Sequence, residues 1–335
     1  MSEEIKTSNI IRGCWQLAAG HSRQNADIQP ILDAIESGFT TFDCADIYLG
    51  VEELLGRASK AVTEKKLRIH TKFVPDLNCL QKIDRKYVKN IIDRSLRRLQ
   101  VECIDLVQFH WWSWEVKNYL SAMEILSELK AEGKITEIGL TNVNREYLEE
   151  FSERFDVASL QAQVSLFDRR VERGVGALCR KKNIKIFAYG SLLGGFVSEK
   201  WLGKGEPLAE QLANRSLVKY KLLLDSACGW EEFQRRLSIL SELAAKYCCE
   251  IANIAVAALL QAGRADAVIV GLSPKNFTAQ NRSLSKLPLL DTQDLQEIST
   301  WTCNLPGDAY DEERDENGAH AKVMRYDLNA HTGTM

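Results

Sequence analysis

The sequence predicts an α/β fold, a closed parallel (β/α)8 barrel of the TIM type, built as one domain with long loops at its C-terminal mouth. Eight apolar runs of strand length alternate with amphipathic runs of helix length. No GxGxxG motif follows the first run, which disfavours the open Rossmann sheet, the competing arrangement. No linker or change of composition divides the chain before about residue 300.

The predicted strands occupy residues 10–17, 39–45, 67–73, 104–110, 135–141, 158–164, 184–190 and 265–271. Between them lie helical patterns such as YVKNIIDRSLRRL, in which apolar residues recur at steps of three and four and form one face. The stretch 190–229 is too long for an ordinary strand-to-helix connection and is expected to be a functional loop over the mouth. The single domain is expected to span 1–335, with 304–335 as a polar, exposed and partly disordered tail.

Composition narrows the class of protein. The 335 residues are 45% hydrophobic and 27% charged, which is typical of a globular chain and excludes a disordered one. The formal net charge of −3 predicts neither a nucleic-acid partner nor a membrane surface. No secretion signal or long apolar run is found, so a cytoplasmic protein is expected. The nine cysteines lack CxxC spacing, which favours reduced thiols and no metal site.

Polar residues collect where the predicted strands end. They are Asp43, Lys72 and His110 on the second to fourth strands, Thr141 and Asn142 on the fifth, Gln161 on the sixth and Tyr189 on the seventh, with Tyr48 in the loop after Asp43. Active sites of α/β barrels lie at the C-terminal ends of the strands. These side chains are therefore expected to meet at one mouth.

Each of four titratable candidates has a structural alternative. Taken alone, Lys72 is more typical of a solvated lysine, His110 of a hydrogen-bonded core histidine, Asp43 of a turn cap and Tyr48 of a packing aromatic. All four lie at the predicted mouth of one barrel, which makes four coincidences a much weaker explanation.

The four residues fit proton donation to a polarised carbonyl. A tyrosine with its reference pKa of about 10 is a poor acid near neutrality. The Lys72 ammonium would favour the Tyr48 phenolate, and Asp43 would keep that ammonium charged and oriented. His110 would hydrogen-bond the substrate oxygen. No covalent nucleophile is evident, so the missing agent is a hydride donor supplied by a cofactor.

Over about residues 8–300 the sequence resembles the aldo-keto reductase superfamily. The matching segments are FDCADIY (42–48), EELLGRA (52–58), IHTKF (69–73), DLVQFHWW (105–112), GKITEIGLTN (133–142), LQAQVSLFDRR (160–170), AYGSLLGGF (188–196) and VIVGLSPKNFTAQN (268–281). They occur in the family's order. The early GCWQL and the SLFDRR segment look most similar to the branch of potassium-channel β-subunit-like proteins and bacterial aldehyde and sugar reductases.

The resemblance implies a barrel that binds NADP(H) across its mouth and reduces an aldehyde or ketone, or oxidises the corresponding alcohol. It assigns Asp43, Tyr48, Lys72 and His110 as the catalytic residues, with Tyr48 as the general acid. The implied cofactor-binding residues are Cys14, Trp15, Asp43, Thr141, Asn142, Gln161, Tyr189, Gly190, Ser191, Leu192, Leu193, Gly194, Lys200, Arg215, Gly271, Ser273, Phe277, Gln280 and Asn281. Thr141 stands where serine is usual, which keeps the hydroxyl.

One departure from the family concerns the adenosine end. Phe277 stands where arginine or glutamine is frequent, and a phenyl ring stacks on adenine but does not pair with a 2′-phosphate. Lys275, Arg282 or Arg215 would have to compensate. NADP(H) is favoured and NAD(H) stays open. An amphipathic last helix with no cofactor role is the alternative reading of this segment.

Tryptophans surround the predicted mouth. Trp111, Trp112 and Trp114 follow the fourth strand and Trp15 follows the first, which favours a substrate with apolar or aromatic surface. The predicted substrate-binding residues are Trp15, Tyr48, His110, Trp111 and Trp112. Alternatively, some of these rings only fix the loop to the barrel. A second hypothesis for function is a regulatory subunit that senses NADP(H) and has slow catalysis. Substrate, direction and oligomeric state stay open.

Overall fold

The computed structural model describes residues 7–19, 27–272, 277–314, 317–320 and 323. Eight parallel strands pair in chain order, and β8 pairs with β1 to close the barrel. The strands are β1 Ile10–Gly13, β2 Thr41–Asp43, β3 Arg68–Phe73, β4 Ile104–Phe109, β5 Ile135–Thr141, β6 Ser159–Gln163, β7 Lys185–Tyr189 and β8 Ala267–Gly271. The predicted (β/α)8 barrel is confirmed. The first strand is shorter than predicted because the chain turns into a 3₁₀ helix at Trp15–Leu17.

Helices cover the outside of the barrel. They are α1 Gln29–Glu36, α2 Val51–Ala61, α3 Arg85–Leu99, α4 Tyr119–Ala131, α5 Arg145–Arg154, α6 Val175–Lys182, α7 Arg215–Ala227, α8 Gly229–Lys246, α9 Ile251–Gln261, α10 Phe277–Leu284, α11 Thr292–Ser299 and α12 Asp311–Arg314. In α3 the Asp84 carboxylate accepts a hydrogen bond from the Tyr87 amide at 2.7 Å and caps the first turn. The face with Val88 and Ile92 is buried, as its spacing predicts.

The main core lies between the strands and the helices. A Cβ added at Gly56 of α2 would lie 2.5 Å from the Arg98 carbonyl oxygen of α3, so only glycine permits this close approach of the two helices. Among the described residues, no single helix has the length and apolar character to cross a membrane. The pair α8 and α9, bent by 93°, meets those two criteria only when taken together.

Strand register brings the predicted polar residues to one end of the barrel. Asp43 pairs with Gly13 and His70, Lys72 pairs with Gln108, and Thr141 pairs with Gln161. Paired residues on neighbouring parallel strands lie side by side, so these positions are all close to the C-terminal ends of their strands at the mouth of the barrel.

Two predictions about the second half of the chain differ from the structure. The stretch 190–229 is not one long loop, because it contains three short 3₁₀ helices and the whole of α7. The exposure expected after residue 304 is wrong for part of that segment: Leu305, Ala309, Tyr310 and Glu313 are at most 8% exposed. Its polar composition was misleading because the charged groups find partners on the barrel. That one domain spans 1–335 stays a prediction.

Candidate active site

A cavity of about 720 Å³ opens at the C-terminal mouth of the barrel. Asp43, Tyr48, Lys72 and His110 all line it, so the structure brings the four predicted catalytic residues together. Asp43 ends β2 and Lys72 lies in β3, while His110 follows β4 directly. The convergence of strand ends at one mouth is what the barrel topology predicts.

Lys72 and Asp43 form a buried ion pair. The Lys72 Nζ lies 2.8 and 2.7 Å from the two Asp43 carboxylate oxygens and donates a third hydrogen bond to the Cys44 carbonyl at 2.8 Å. Burial alone would lower the pKa of Lys72, but the charge and hydrogen bonds of Asp43, together with Tyr48 and Cys44, outweigh it and raise the pKa above the usual value. The ammonium is therefore retained at neutral pH.

The Asp43 carboxylate has further donors. Gln161 Nε2 donates to Asp43 Oδ1 at 2.6 Å, and Gln108 Nε2 lies 3.3 Å from the same oxygen. A buried carboxylate needs such partners to stay charged. Gln161, which the resemblance assigns to cofactor binding, therefore also orients Asp43.

Tyr48 lies beside this ion pair. The Lys72 Nζ is 5.3 Å from the centroid of the Tyr48 ring, and the Trp15 ring packs edge-on against Tyr48 with centroids 4.7 Å apart. Burial raises the pKa of Tyr48 to about 12, and Lys72 acts in the opposite direction. The lysine thus acts in the predicted direction, and burial has the larger effect on the pKa of Tyr48. Tyr48 is protonated at neutral pH and holds a proton that it can donate.

His110 is a neutral imidazole. Burial, the Arg314 guanidinium and the Lys72 ammonium lower its pKa to about 3. The Trp112 ring lies perpendicular to the His110 ring with centroids 4.6 Å apart. A neutral imidazole beside the Lys72 ammonium keeps one N–H to donate to an oxygen in the cavity.

Most of the predicted cofactor-binding residues lie at the cavity wall. Those that line it are Trp15, Asp43, Thr141, Asn142, Gln161, Tyr189, Gly190, Ser191, Leu192, Gly194, Arg215 and Gly271. Cys14, Leu193 and Asn281 are fully buried, Lys200 is exposed with its ammonium 5.2 Å from the Trp201 ring centroid, and none of these four lines the cavity. The described part of the cavity therefore does not include these four side chains, and their role in cofactor binding stays a prediction. Ser273 and the side chains of Phe277 and Gln280 lie outside the described residues.

The wall fits a nicotinamide dinucleotide. Two lining polar atoms, Ser191 Oγ and Gln16 Oε1, are buried without a hydrogen-bond partner in the described part of the chain. Gly190 has φ 73°, and a Cβ there would lie 2.5 Å from the Tyr220 hydroxyl. Only glycine tolerates both the positive φ and this contact. Arg215 and Lys219 add positive charge for phosphate groups.

Several lining residues were not predicted from the sequence. They are Gln16, Asn214, Ser216, Lys219, Tyr220 and Tyr310, among others. Lys219 lies four residues after Arg215 in α7, a spacing that places both on one helical face and was the available signal. Its Nζ lies 4.9 Å from the ring centroids of Tyr189 and Tyr220. Burial lowers the pKa of Lys219 to about 8, against the opposing charges of Glu313 and Asp168.

The tryptophans near the mouth of the barrel have different surroundings: some line the cavity, and Trp111 is buried in the core. Trp112 and Trp15 line the cavity. Trp111 is 0% exposed, stacks on Phe109 and donates its Nε1 hydrogen to the Ser113 and Val116 carbonyls, so its assignment to substrate binding is wrong. The alternative, that a ring fixes the loop to the barrel, holds for Trp111.

The chain is similar to known proteins, in sequence or in fold, over most of its length. The chain is 25% identical to an NADH-specific methylglyoxal reductase of Escherichia coli (strain K12), covering 86% of this chain and 93% of that protein. It is 28% identical to probable aldo-keto reductase 1 of Glycine max, covering 89% and 86%. The structure of a glycerol dehydrogenase from Gluconobacter oxydans is similar with a TM-score of 0.72 at 22% identity, covering 92% of this chain and 96% of that one.

A match to a family model shows to which family the chain belongs. The model of the aldo/keto reductase family matches residues 9–301, which includes all eight strands and the four residues at the mouth. The branch nearest to this chain stays a prediction. The chain belongs to the aldo/keto reductase family, a family of oxidoreductases that act on carbonyl compounds and alcohols.

Proposed function

We propose that this protein is a cytoplasmic NADP(H)-dependent reductase of an aldehyde or ketone, which also oxidises the corresponding alcohol, with Tyr48 as the general acid. The observation that carries the proposal is the protonated Tyr48 in one cavity with the Lys72–Asp43 ion pair and the neutral His110. Proton donors and a fixed cation at a developing alkoxide are the groups that carbonyl reduction needs.

Each residue has a distinct task. The bound nicotinamide supplies the hydride. The Tyr48 O–H bond breaks as its proton passes to the carbonyl oxygen, and the phenolate that remains is stabilised by the Lys72 ammonium. Asp43 holds that ammonium in place through two hydrogen bonds. His110 donates a hydrogen bond to the same carbonyl oxygen and fixes the orientation of the substrate.

NADP(H) is the cofactor that we favour, and NAD(H) is the alternative. Arg215 and Lys219 at the cavity wall supply positive charge for the pyrophosphate, which both cofactors carry, so the preference for NADP(H) rests on the resemblance of the sequence. Phe277 at the predicted adenosine end and the NADH-specific relative support the alternative. Comparison of kcat/KM for NADPH and NADH with the same aldehyde decides between them.

An apolar or aromatic carbonyl compound is the proposed substrate class. The rings of Trp15, Tyr48, Trp112 and Tyr310 contribute to the cavity wall. Aromatic walls bind apolar surface and leave the few polar groups to orient the reacting carbonyl.

The test is turnover of benzaldehyde and methylglyoxal with NADPH by the purified protein, followed by the absorbance of NADPH. Tyr48→Phe is expected to lower kcat by at least about 100-fold, the lower range for loss of a general acid. Binding of NADPH, measured by quenching of tryptophan fluorescence, should be retained. Tyr247→Phe removes a hydroxyl that pairs with Asp294 of α11 at the C-terminal end of α8, away from the residues that line the cavity, and serves as the matched control. Normal turnover by Tyr48→Phe would show that Tyr48 is not the acid.

A further inference from the structure

The segment from Leu305 to Arg314, here called the C-terminal segment, crosses the mouth of the barrel. Leu305 and Ala309 are buried, and Tyr310 lines the cavity. The short helix α12 ends the described part of the segment with Glu313 and Arg314. The segment therefore forms part of the wall around the candidate active site, which its polar sequence did not predict.

Glu313 fixes the C-terminal segment to the end of β6. Glu313 is 3% exposed. Its carboxylate accepts two hydrogen bonds from Arg170, at 3.0 and 2.6 Å, and one from Gln163 at 2.8 Å. Arg170 also pairs with Asp168 at 2.8 Å. Burial alone would raise the pKa of Glu313, but Arg170 and then Lys219 outweigh it and lower the pKa. Glu313 is therefore docked as a carboxylate.

Arg314, the next residue, joins two loops of the active site. It donates to the Asn142 carbonyl at 3.2 and 2.8 Å and to the Trp112 carbonyl at 3.1 Å. Its guanidinium also lies over the Trp114 ring, 4.6 Å from the centroid. Three donors in a fixed plane can hold two carbonyls in one geometry, which a flexible ammonium does not do.

The two carbonyls belong to residues whose positions matter for the reaction. Trp112 packs edge-on against His110 and lines the cavity. Asn142 follows β5 directly with φ 59°, a left-handed conformation that asparagine adopts more readily than most residues with a side chain. Asn142 Oδ1 also accepts a hydrogen bond from the Tyr189 hydroxyl at 2.7 Å. The Arg314 guanidinium thus fixes two parts of the cavity wall near His110: the loop with Trp112 and the residue Asn142 after β5.

We propose that Arg314 is a positioning residue for the carbonyl substrate, and that Glu313 docks it. Arg314 acts by holding Trp112 against His110 and by holding Asn142, the residue that follows β5. This inference rests on the proposed carbonyl reduction, because its kinetic effect is measured on that reaction.

The test compares Arg314→Ala and Arg314→Lys with Arg154→Ala, an exposed arginine of α5 that pairs with Glu150. Arg314→Ala should raise the KM for benzaldehyde at saturating NADPH by about tenfold. The dissociation constant of NADPH should rise by a smaller factor, because Arg314 binds only the backbone carbonyl of Asn142 and the side chain of Asn142 keeps its hydrogen bond with Tyr189. Arg314→Lys should restore little of the loss, and Glu313→Gln should raise KM in the same direction by a smaller factor. Arg154→Ala should leave both constants as in the wild type.

Hydrogen exchange gives a readout that does not need turnover. In Arg314→Ala, amides of 110–118 and 139–144 should exchange faster than in the wild type, and they should not do so in Arg154→Ala. Unchanged exchange in both segments, or an unchanged KM, would overturn the inference, even if the melting temperature falls. Equal losses in substrate and cofactor binding would also overturn it. If Tyr48→Phe abolishes turnover while Arg314→Ala is normal, only this inference fails; if Tyr48→Phe is normal, the proposed function fails.

Discussion

Two buried groups of charges stand at the mouth of this barrel and differ in how they are built. The pair Asp43–Lys72 joins two neighbouring strands, and both residues belong to the barrel itself. The cluster Asp168–Arg170–Glu313 joins the connection after β6 to the C-terminal segment, and Glu313 lies 143 residues after Arg170. Both have a β6 glutamine on a carboxylate, Gln161 in the first and Gln163 in the second. The first group is fixed once the barrel closes, whereas the second also requires docking of a distant segment.

The largest difference should appear when the cation of the first group is removed. Lys72→Met leaves the Asp43 charge with amide donors alone and takes away the stabilisation of the Tyr48 phenolate. Breaking a buried ion pair costs about 3–5 kcal/mol of stability. We expect that loss in urea unfolding, together with a decrease in kcat of at least about 100-fold. Turnover close to that of the wild type would break the proposed link between this pair and Tyr48.

Removal of the cation from the second group should affect stability more than chemistry. Arg170→Met leaves the Asp168 and Glu313 carboxylates buried near each other with one amide between them. We expect a loss of about 3–5 kcal/mol in urea unfolding, as for Lys72→Met. The kcat for methylglyoxal should fall by a much smaller factor than in Lys72→Met. Equal kinetic losses in the two variants would remove the distinction between the two groups.

The two groups of charges should also differ, by a smaller amount, in how their contribution to the free energy of unfolding depends on pH. The folded-state pKa of Glu313 is lowered, so its contribution is present above its unfolded value of about 4.3 and is lost as the pH falls through the folded value. The folded-state pKa of Lys72 is raised, so its contribution is present below about 10.4 and is lost only as the pH rises through the folded value.

Urea unfolding of the wild type and of Glu313→Gln between about pH 6 and pH 3 measures the acid side of this difference. The stability gap between the two proteins should narrow as the pH falls below about 4.3. A gap that stays constant over this range would mean that Glu313 is not docked as a carboxylate.

The same contrast explains which parts of the site could be predicted from the sequence. Asp43, Lys72 and His110 were found because strand patterns are local and the barrel brings every strand end to one mouth. Glu313 and Arg314 were missed because a polar segment is predicted to be exposed when its partners are more than a hundred residues away. Their burial depends on ion pairs and hydrogen bonds that composition does not reveal.

Local patterns also fail where periodicity is absent. Trp111 and Trp112 are adjacent in one loop, yet Trp111 is in the core and Trp112 lines the cavity. No alternation of strand or helix indicates which ring faces inward at this point. Within 190–229, the four-residue step from Arg215 to Lys219 is compatible with a helix, but the length of the stretch favoured one long loop. The helix α7 was therefore not predicted.

The position of the C-terminal segment in the chain has a consequence for biosynthesis. A ribosome makes all eight strands, and with them Asp43, Tyr48, Lys72 and His110, before it makes Tyr310, Glu313 and Arg314. Because β8 closes the barrel and lies only about 40 residues before this section of the wall, the two become available for folding at nearly the same time. The catalytic groups therefore precede this section of the pocket wall in the order of synthesis.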